Sequence, residues 1–449
     1  MAGGWTNIGK IPELQRRLLF TVMILAFYRL GVHIWIPGIN TDALARIFEQ
    51  HRGGIFGLIN TFTGGGFENM SVFALGVMPY ITASIILQLM TVVFPYLAKL
   101  QKEGEAGKKK ITQYTRYLTV VLSLAQSMAI AFMLEGWSRD MAGGGAAPLV
   151  NNPGLAFVLM TMITITAGTA LIMWLGEQIT ERGVGNGISL IIFAGIVAQM
   201  PLGIYETIMM VRNNEITFGL LLFVGVGMLA VIGCIVFMER AQRRLPVQYP
   251  ARTVGRKMYR GVKTHLPLKI NAAGVIPPIF ASALLSFPTT ITAFFGQSTG
   301  AEVTWVDWFA RAFNPLAWQY NTIYGLLIMF FTFFYTAVTF NPIDVADNLK
   351  RQGGYIPGVR PGQNTSDYID RIMTRITMGG SLYLVAVCVL PSILMGVLNL
   401  PFYFGGTSLL IVVGVSMDTA AQIESHLIAR HYDGFLGPKG ARIKGRRGR

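Results

Sequence analysis

Residues 62–90, FTGGGFENMSVFALGVMPYITASIILQLM, change character halfway along. From Gly76 onward the stretch is apolar enough to lie in a membrane, whereas Gly64, Gly65, Gly66, Glu68 and Asn69 before it are not. Irregular backbone cannot face lipid, because each unsatisfied polar group there is prohibitively expensive. The polar half therefore sits in a cavity or on the membrane surface. One reading is a short segment, residues 57–72, that dips into an outer funnel and seals it. The other is a loop lying on the outer leaflet, and at this point both stay open.

The rest of the chain settles the solvent. Of 449 residues, 52% are hydrophobic and 13% charged, and the mean hydropathy is +0.50, too apolar for an ordinary soluble fold. Ten apolar stretches approach the roughly 20 residues that a helix needs to cross a bilayer. They lie near 18–36, 77–98, 117–134, 154–174, 187–205, 217–238, 272–292, 320–340, 376–395 and 402–417. Ten crossings put both termini on one side. The first segment and every second connection hold 31 of the 37 Lys and Arg, the opposite connections hold five, and Arg29 lies in the first span. Acids split 13 to nine in the same sense. Such sorting is the positive-inside pattern and places both termini in the cytoplasm. A nucleic-acid binder with the same pI near 9.9 would have no reason to sort its charges by alternate loop. The start of the chain has a basic flank and an apolar run, but that run is long, carries Arg29 and lacks an A-x-A site, so it reads as an uncleaved span.

Several function classes drop out. On these boundaries no Asp, Glu or Lys lies within a span, leaving Arg29 and His33 in the first. A coupled transporter needs such a group to bind its ion. Arg29 reads as a residue that snorkels or holds backbone carbonyls at a helix contact. No GxxxxGK[ST], HExxH, GxSxG or kinase set occurs, so no enzyme is indicated. ERGVGNGIS, residues 181–189, joins two spans and reads as a tight turn rather than a dinucleotide loop. Cys234 and Cys388 have no CxxC spacing or ligand cluster and read as packing residues. Neither metal nor cofactor is expected; the pattern is a passive path whose energy comes from a partner.

Residues 76–87, GVMPYITASIIL, and residues 274–285, GVIPPIFASALL, share seven of twelve positions. The second span runs inward and the seventh outward, so one pattern serves both orientations, as an inverted five-plus-five duplication would produce. The halves fall at 1–210 and 211–431, with a basic tail at 432–449. Pro79 and Pro277 are expected to disrupt the helical ladder.

The runs PYITASIILQL, WLGEQITERGVGNGISLIIFAGIV, THLPLKINAAGVIPPIFASALL, YIPGVRPG and PFYFGGTSLLIV resemble the SecY family of Sec translocase subunits, over nearly the whole chain. The loop after Glu135 and the tail after His431 match least. The resemblance implies an all-α polytopic membrane protein of ten transmembrane helices, in two pseudo-symmetric inverted halves arranged as a clam shell. It implies an hourglass pore, a short re-entrant plug helix and a lateral gate into lipid. The pore ring would be Val77, Ile81, Ile188, Ile192, Ile279 and Ile411, with Val77 where isoleucine is often seen. The plug falls on Gly64, Gly65, Gly66, Phe67, Glu68 and Asn69, and Thr82, Ile85, Gln88, Asn271 and Phe287 would line the gate. The implied activity is passage of unfolded preproteins across the bacterial inner membrane and sideways release of transmembrane segments into lipid. The implied partners are SecE, SecG, the SecA ATPase, the ribosome, a polypeptide with a signal sequence, and membrane lipids. An aliphatic constriction dewets when empty yet grips no particular chain. Ordinary helix packing fits the same isoleucine spacing equally well.

Two inner connections, 239–271 and 341–375, are longer than hairpins between helices need. The first carries nine Lys and Arg against one acid, with Tyr249 and Tyr259 interleaved. That suits phosphate-rich RNA or the acidic patch of a motor ATPase; contact with anionic lipid explains the charge but not the length. The candidate docking residues are Arg243, Arg244, Arg256, Lys257, Arg260 and, in a turn held by Pro357 and Pro361, Arg360. The rivals are a secondary transporter with inverted repeats and a non-conducting scaffold that docks ribosomes.

Overall fold

Ten apolar runs fold as helices because only a helix pairs all of its backbone polar groups within itself. The computed structural model describes residues 12–51, 55–143, 148–214, 216–250, 252–254, 257–259, 263–286, 317–398 and 406–436. The first half contains α1 (Pro12–Gly31), α2 (Thr41–His51), α3 (Ile55–Thr63), α4 (Met78–Val93), α5 (Pro95–Lys102), α6 (Glu105–Gly143), α7 (Leu155–Arg182) and α8 (Gly187–Arg212). The second contains α9 (Phe218–Arg240), four short strands and α10, which starts at Ile276 and is described to Ser286. It continues with α11 (Trp318–Thr339), α12 (Pro342–Arg351), α13 (Gln363–Leu398) and α14 (Gly406–Leu436). Among the described residues, seven helices are long and apolar enough to cross a membrane, or eight if the bent pair α4–α5 is one span. α1 carries Glu13, Arg16, Arg17 and Arg29, and α10 is short in its described part; with these two, each of the ten expected spans has its helix. α9 exposes Phe218, Leu222, Phe223, Val226, Leu229 and Phe237, as a helix that is apolar all round does in lipid.

The boundaries differ from expectation in instructive ways. The first span ends at Gly31, not residue 36, and the chain then forms bridges from Trp35 to Ser71 and from Ile39 to Val150. The second ends at Val93: Phe94 is extended, Pro95 opens α5, and the axis turns by 101°. Proline disfavours helix in the residue before it, and the bend keeps Lys99 and Lys102 out of the hydrocarbon that a straight span would have entered. α14 starts at Gly406 and runs to Leu436, well past the expected 417 and into the segment expected as tail; residues 437–449 lie outside the described residues. α8, which contains the expected boundary between halves, runs to Arg212.

The two prolines of the repeat do the opposite of what was expected. α4 starts at Met78 and α10 at Ile276, so Pro79 and Pro277 each occupy the second helical position. There an N–H has no partner to lose and the fixed φ favours the helix. The preceding glycines take matching left-handed conformations, Gly76 at φ +55° and Gly274 at φ +62°. The duplicated motif is a helix-start device, used once at each end of the bundle.

Residues 239–271 are not an irregular loop. β1 (Gln242–Gln248) pairs antiparallel with β4 (Lys263–Lys269), and β2 (Arg252–Val254) with β3 (Lys257–Tyr259). Leu245 and Val247 are buried while Arg243, Arg244 and Pro246 are exposed. The buried side chains share one small core with Leu268, Leu349, Ile356, Ile369, Ile372 and Met373. Gln248 and Tyr355 exchange two backbone hydrogen bonds of 2.9 Å each, so the two long connections form one platform. The main core lies elsewhere and draws on both halves, from Ile24 and Tyr28 to Val413 and Val415.

Candidate functional site

α8 carries the geometry of the site on one face. Ile188, Ile192, Gly195 and Gln199 are four, seven and eleven residues apart, a spacing that stacks them along one side of a helix over roughly 16 Å. Next to Ile188, Asn186 and Ser189 line a cavity of about 470 Å³ at the basic end of the bundle. Ile192 is buried, and Ile188 packs against its cluster. Gly195 touches Gly64, and Gln199 Nε2 donates to the Asn60 carbonyl at 3.3 Å. One helix thus passes from this cavity along Ile188 and Ile192 to the end of α3.

The six ring candidates all belong to, or pack against, the main core cluster. Val77, Ile81, Ile192, Ile279 and Ile411 are between 0% and 6% exposed and belong to one cluster, with half-buried Ile188 against it. They come from α4 and its N-cap, α8, α10 and α14, hence from both halves. Within lipid such contacts gain nothing from the hydrophobic effect, since the tails are as apolar as isoleucine; packing alone brings them together.

The plug candidates sit above them, with a change in their assignment. The helix of the segment is α3, which ends at Thr63, so Gly64 to Asn69 form the turns after it rather than the helix itself. Gly64 is left-handed at φ +65°, and Gly65 N donates to the Asn60 carbonyl at 3.1 Å. These are the marks of a Schellman closure, which needs a residue free of Cβ strain. An added Cβ on Gly64 would lie 2.5 Å from the Gly195 Cα. Asn60 and Glu68 clasp each other: Asn60 Nδ2 donates to Glu68 Oε2 at 2.8 Å and Glu68 N donates to Asn60 Oδ1 at 3.0 Å. Phe67 is buried edge-on against Phe48. The segment is buried to half-buried, with Gly64 packed on Gly195 of α8.

Three residues that sequence reasoning did not connect to this segment hold it. Tyr28 Oη donates to the Thr63 carbonyl at 3.0 Å, Arg29 Nη1 to the Gly64 carbonyl, and Gln199 to Asn60 as above. Arg29 was expected to snorkel or to hold backbone carbonyls; the fold shows the second, at Gly64. Gln199 and Asn60 gave a signal, as lone amides in apolar runs.

The gate candidates are partly gathered. Thr82 and Ile85 are buried on α4, and Ile85 shares the main cluster with Ile279 and Leu285 of α10. Gln88 is half-buried, its Nε2 3.5 Å from Ser84 Oγ. Asn271 is buried at the foot of α10, where its Nδ2 donates to Glu239 Oε1 at 2.6 Å and to the Gly274 carbonyl at 3.0 Å. Phe287 lies outside the described residues. Of the docking candidates, Arg243, Arg244 and Arg360 are exposed on the platform, and Thr365 Oγ1 donates to the Arg360 carbonyl at 2.9 Å. Lys257 lies in β3; Arg256 and Arg260 lie outside the described residues. Among the described residues, no group of His, Cys, Asp and Glu could hold a metal ion.

The SecY family model matches residues 71–420. The chain is 49% identical over 438 residues to protein translocase subunit SecY of Escherichia coli strain K12, covering 97% of this chain and 96% of that protein. It is 50% identical over 437 residues to the Pseudomonas aeruginosa protein of the same name, with 97% and 96% covered. The fold matches a solved structure described as a protein conducting channel, with a TM-score of 0.65 at 15% identity, over 95% of this chain and 98% of that one. That likeness speaks for the fold alone.

Proposed function

The chain belongs to the SecY family, and from this premise we propose that it is the protein-conducting channel of a general secretory pathway. Unfolded preproteins pass through the aliphatic layer, and apolar segments leave sideways between α4 and α10 into lipid. Val77, Ile81, Ile188, Ile192, Ile279 and Ile411 form the constriction. α3 and the turns Gly64 to Asn69 form the plug, and Thr82, Ile85, Gln88, Asn271 and Phe287 line the gate. The single observation that supports the reading is the face of α8, which runs from a cavity lined by Asn186 and Ser189 past Ile188 and Ile192 to the contact of Gly195 with Gly64. An empty aliphatic layer excludes water and ions yet offers a sliding surface to any extended chain.

The chain makes and breaks no covalent bond, so its energy comes from docked partners. The platform with Arg243, Arg244 and Arg360, together with Arg256, Lys257 and Arg260 of the same basic sequence run, receives the ribosome and the SecA motor, whose phosphates or acidic surface match its charge. SecE and SecG complete the complex against the exposed helix faces. The charge asymmetry supports the bacterial inner membrane with both termini in the cytoplasm. The test is reconstitution in vesicles with SecE, SecG, SecA and ATP. A preprotein then becomes protected from added protease; a preprotein that stays fully digested while SecA still docks removes the channel reading.

A further inference from the structure

We propose that Tyr28, Arg29 and Gln199 form a latch that holds the plug shut by capping the carbonyls at the end of α3. The inference rests on the plug reading above and adds what keeps the plug in place. A helix end leaves its last carbonyls without partners and carries a partial negative charge. At α3 the Schellman turn satisfies only part of this set. Side chains from two other helices add donors there: Arg29 to the Gly64 carbonyl, and Tyr28 and Gln199 as further donors to the Thr63 and Asn60 carbonyls that Gly66 N and Gly65 N already engage. Tyr28 is 1% exposed, and α1 and α8 are both built into the main core, so the donors stay fixed when the plug moves. The Arg29 bond is charge-assisted and partly buried, which makes it the strongest of the three.

Arg29 also had no evident reason to be in a span. Its neighbours Phe27 and Leu30 face outward, while its own guanidinium turns inward to a backbone oxygen of the plug turn. A cation placed at a helix C-terminus inside a low-dielectric wall is stable only while that helix end is present. Plug departure therefore uncovers both partners at once, and the latch favours return. An arriving chain must replace three hydrogen bonds before the aliphatic layer can wet.

The experiment is the resting ion conductance of the complete translocase in planar bilayers. Arg29→Leu should raise the frequency of resting openings about tenfold, the scale of one lost charge-assisted bond; Arg29→Lys, which keeps the charge, should retain most of the closure. Tyr28→Phe removes one hydroxyl without disturbing the core and should give a smaller rise. The same Arg29→Leu change in a chain lacking residues 57–67 should add nothing further. An equal rise in the plug-less chain would overturn the latch, because the substitution would then be loosening the bundle. No rise in Arg29→Leu or Tyr28→Phe, while plug removal alone leaks, would overturn it as well. If plug removal itself leaves the conductance unchanged, the plug reading fails and takes the latch with it.

Discussion

Gly64 shows how much one residue can decide. Its left-handed φ alone would cost an alanine roughly 1–2 kcal/mol, and its Cβ would meet backbone of Gly195 at 2.5 Å, which has no rotamer to yield. Gly64→Ala should therefore push the end of α3 off α8 and raise the resting conductance. Gly65 is also left-handed, at φ +90°, but its Cβ would make ordinary contact, 3.4 Å, with the flexible tip of Gln199. Gly65→Ala should show only the strain and a markedly smaller leak. Equal conductance in the two variants would mean that the Gly64–Gly195 contact does not set the plug. At this scale the sequence limited the glycines to a cavity or the membrane surface, and Arg29 to snorkelling or holding backbone carbonyls. It could not pair them, because Arg29 and Gly64 are 35 residues apart and only the packing of α1 against α3 joins them.

At the scale of elements, the repeated motif offers a controlled comparison. Gly76 and Gly274 start α4 and α10 with nearly the same backbone. A Cβ at Gly274 meets nothing within 4 Å, whereas one at Gly76 lies 3.0 Å from Thr63 Cγ2, at the end of the plug helix. Gly274→Ala should lower thermal stability by the strain alone, about 1 kcal/mol, and leave the conductance at rest unchanged. Gly76→Ala should add a leak through its effect on Thr63, and a leak of the same size from both variants would refute the comparison. The repeat was legible from seven shared positions, but the role of its prolines was not. Proline reads as a breaker or a starter according to where the helix begins, and nothing local marks Met78 and Ile276 as first residues. The β-ribbon was hidden for a related reason: β1 alternates only over Leu245 and Val247, and its partner β4 stands fifteen residues beyond its end. Arg243 and Arg244 are exposed on that ribbon, opposite Leu268 and Pro267. Replacing both with Glu should weaken SecA or ribosome binding in a salt-dependent way without lowering thermal stability, which titration at two ionic strengths would check.

On the proposed reading the whole molecule carries two barriers, the plug and the ring. Hydropathy marked ten spans, each of which has its helix, and the resemblance supplied the ring; that Ile81 and Ile279 share one buried cluster needed the fold, since 198 residues separate them. Those two come from opposite halves, so the proposed constriction requires that the halves meet. If plug and ring act in series, an ion must cross both, and lowering one barrier leaves the other limiting. Ile81→Gly with Ile279→Gly, which remove side chains that are 5% and 6% exposed, should thus raise resting conductance only modestly while the plug stays latched. Arg29→Leu alone should raise the frequency of resting openings about tenfold, each opening kept small by the intact ring. The triple variant should leak far more than the sum of the two, because no barrier remains to limit flow. Two leaks that merely add would describe two separate paths, and the isoleucine layer would then not lie beneath the plug in the conducting route.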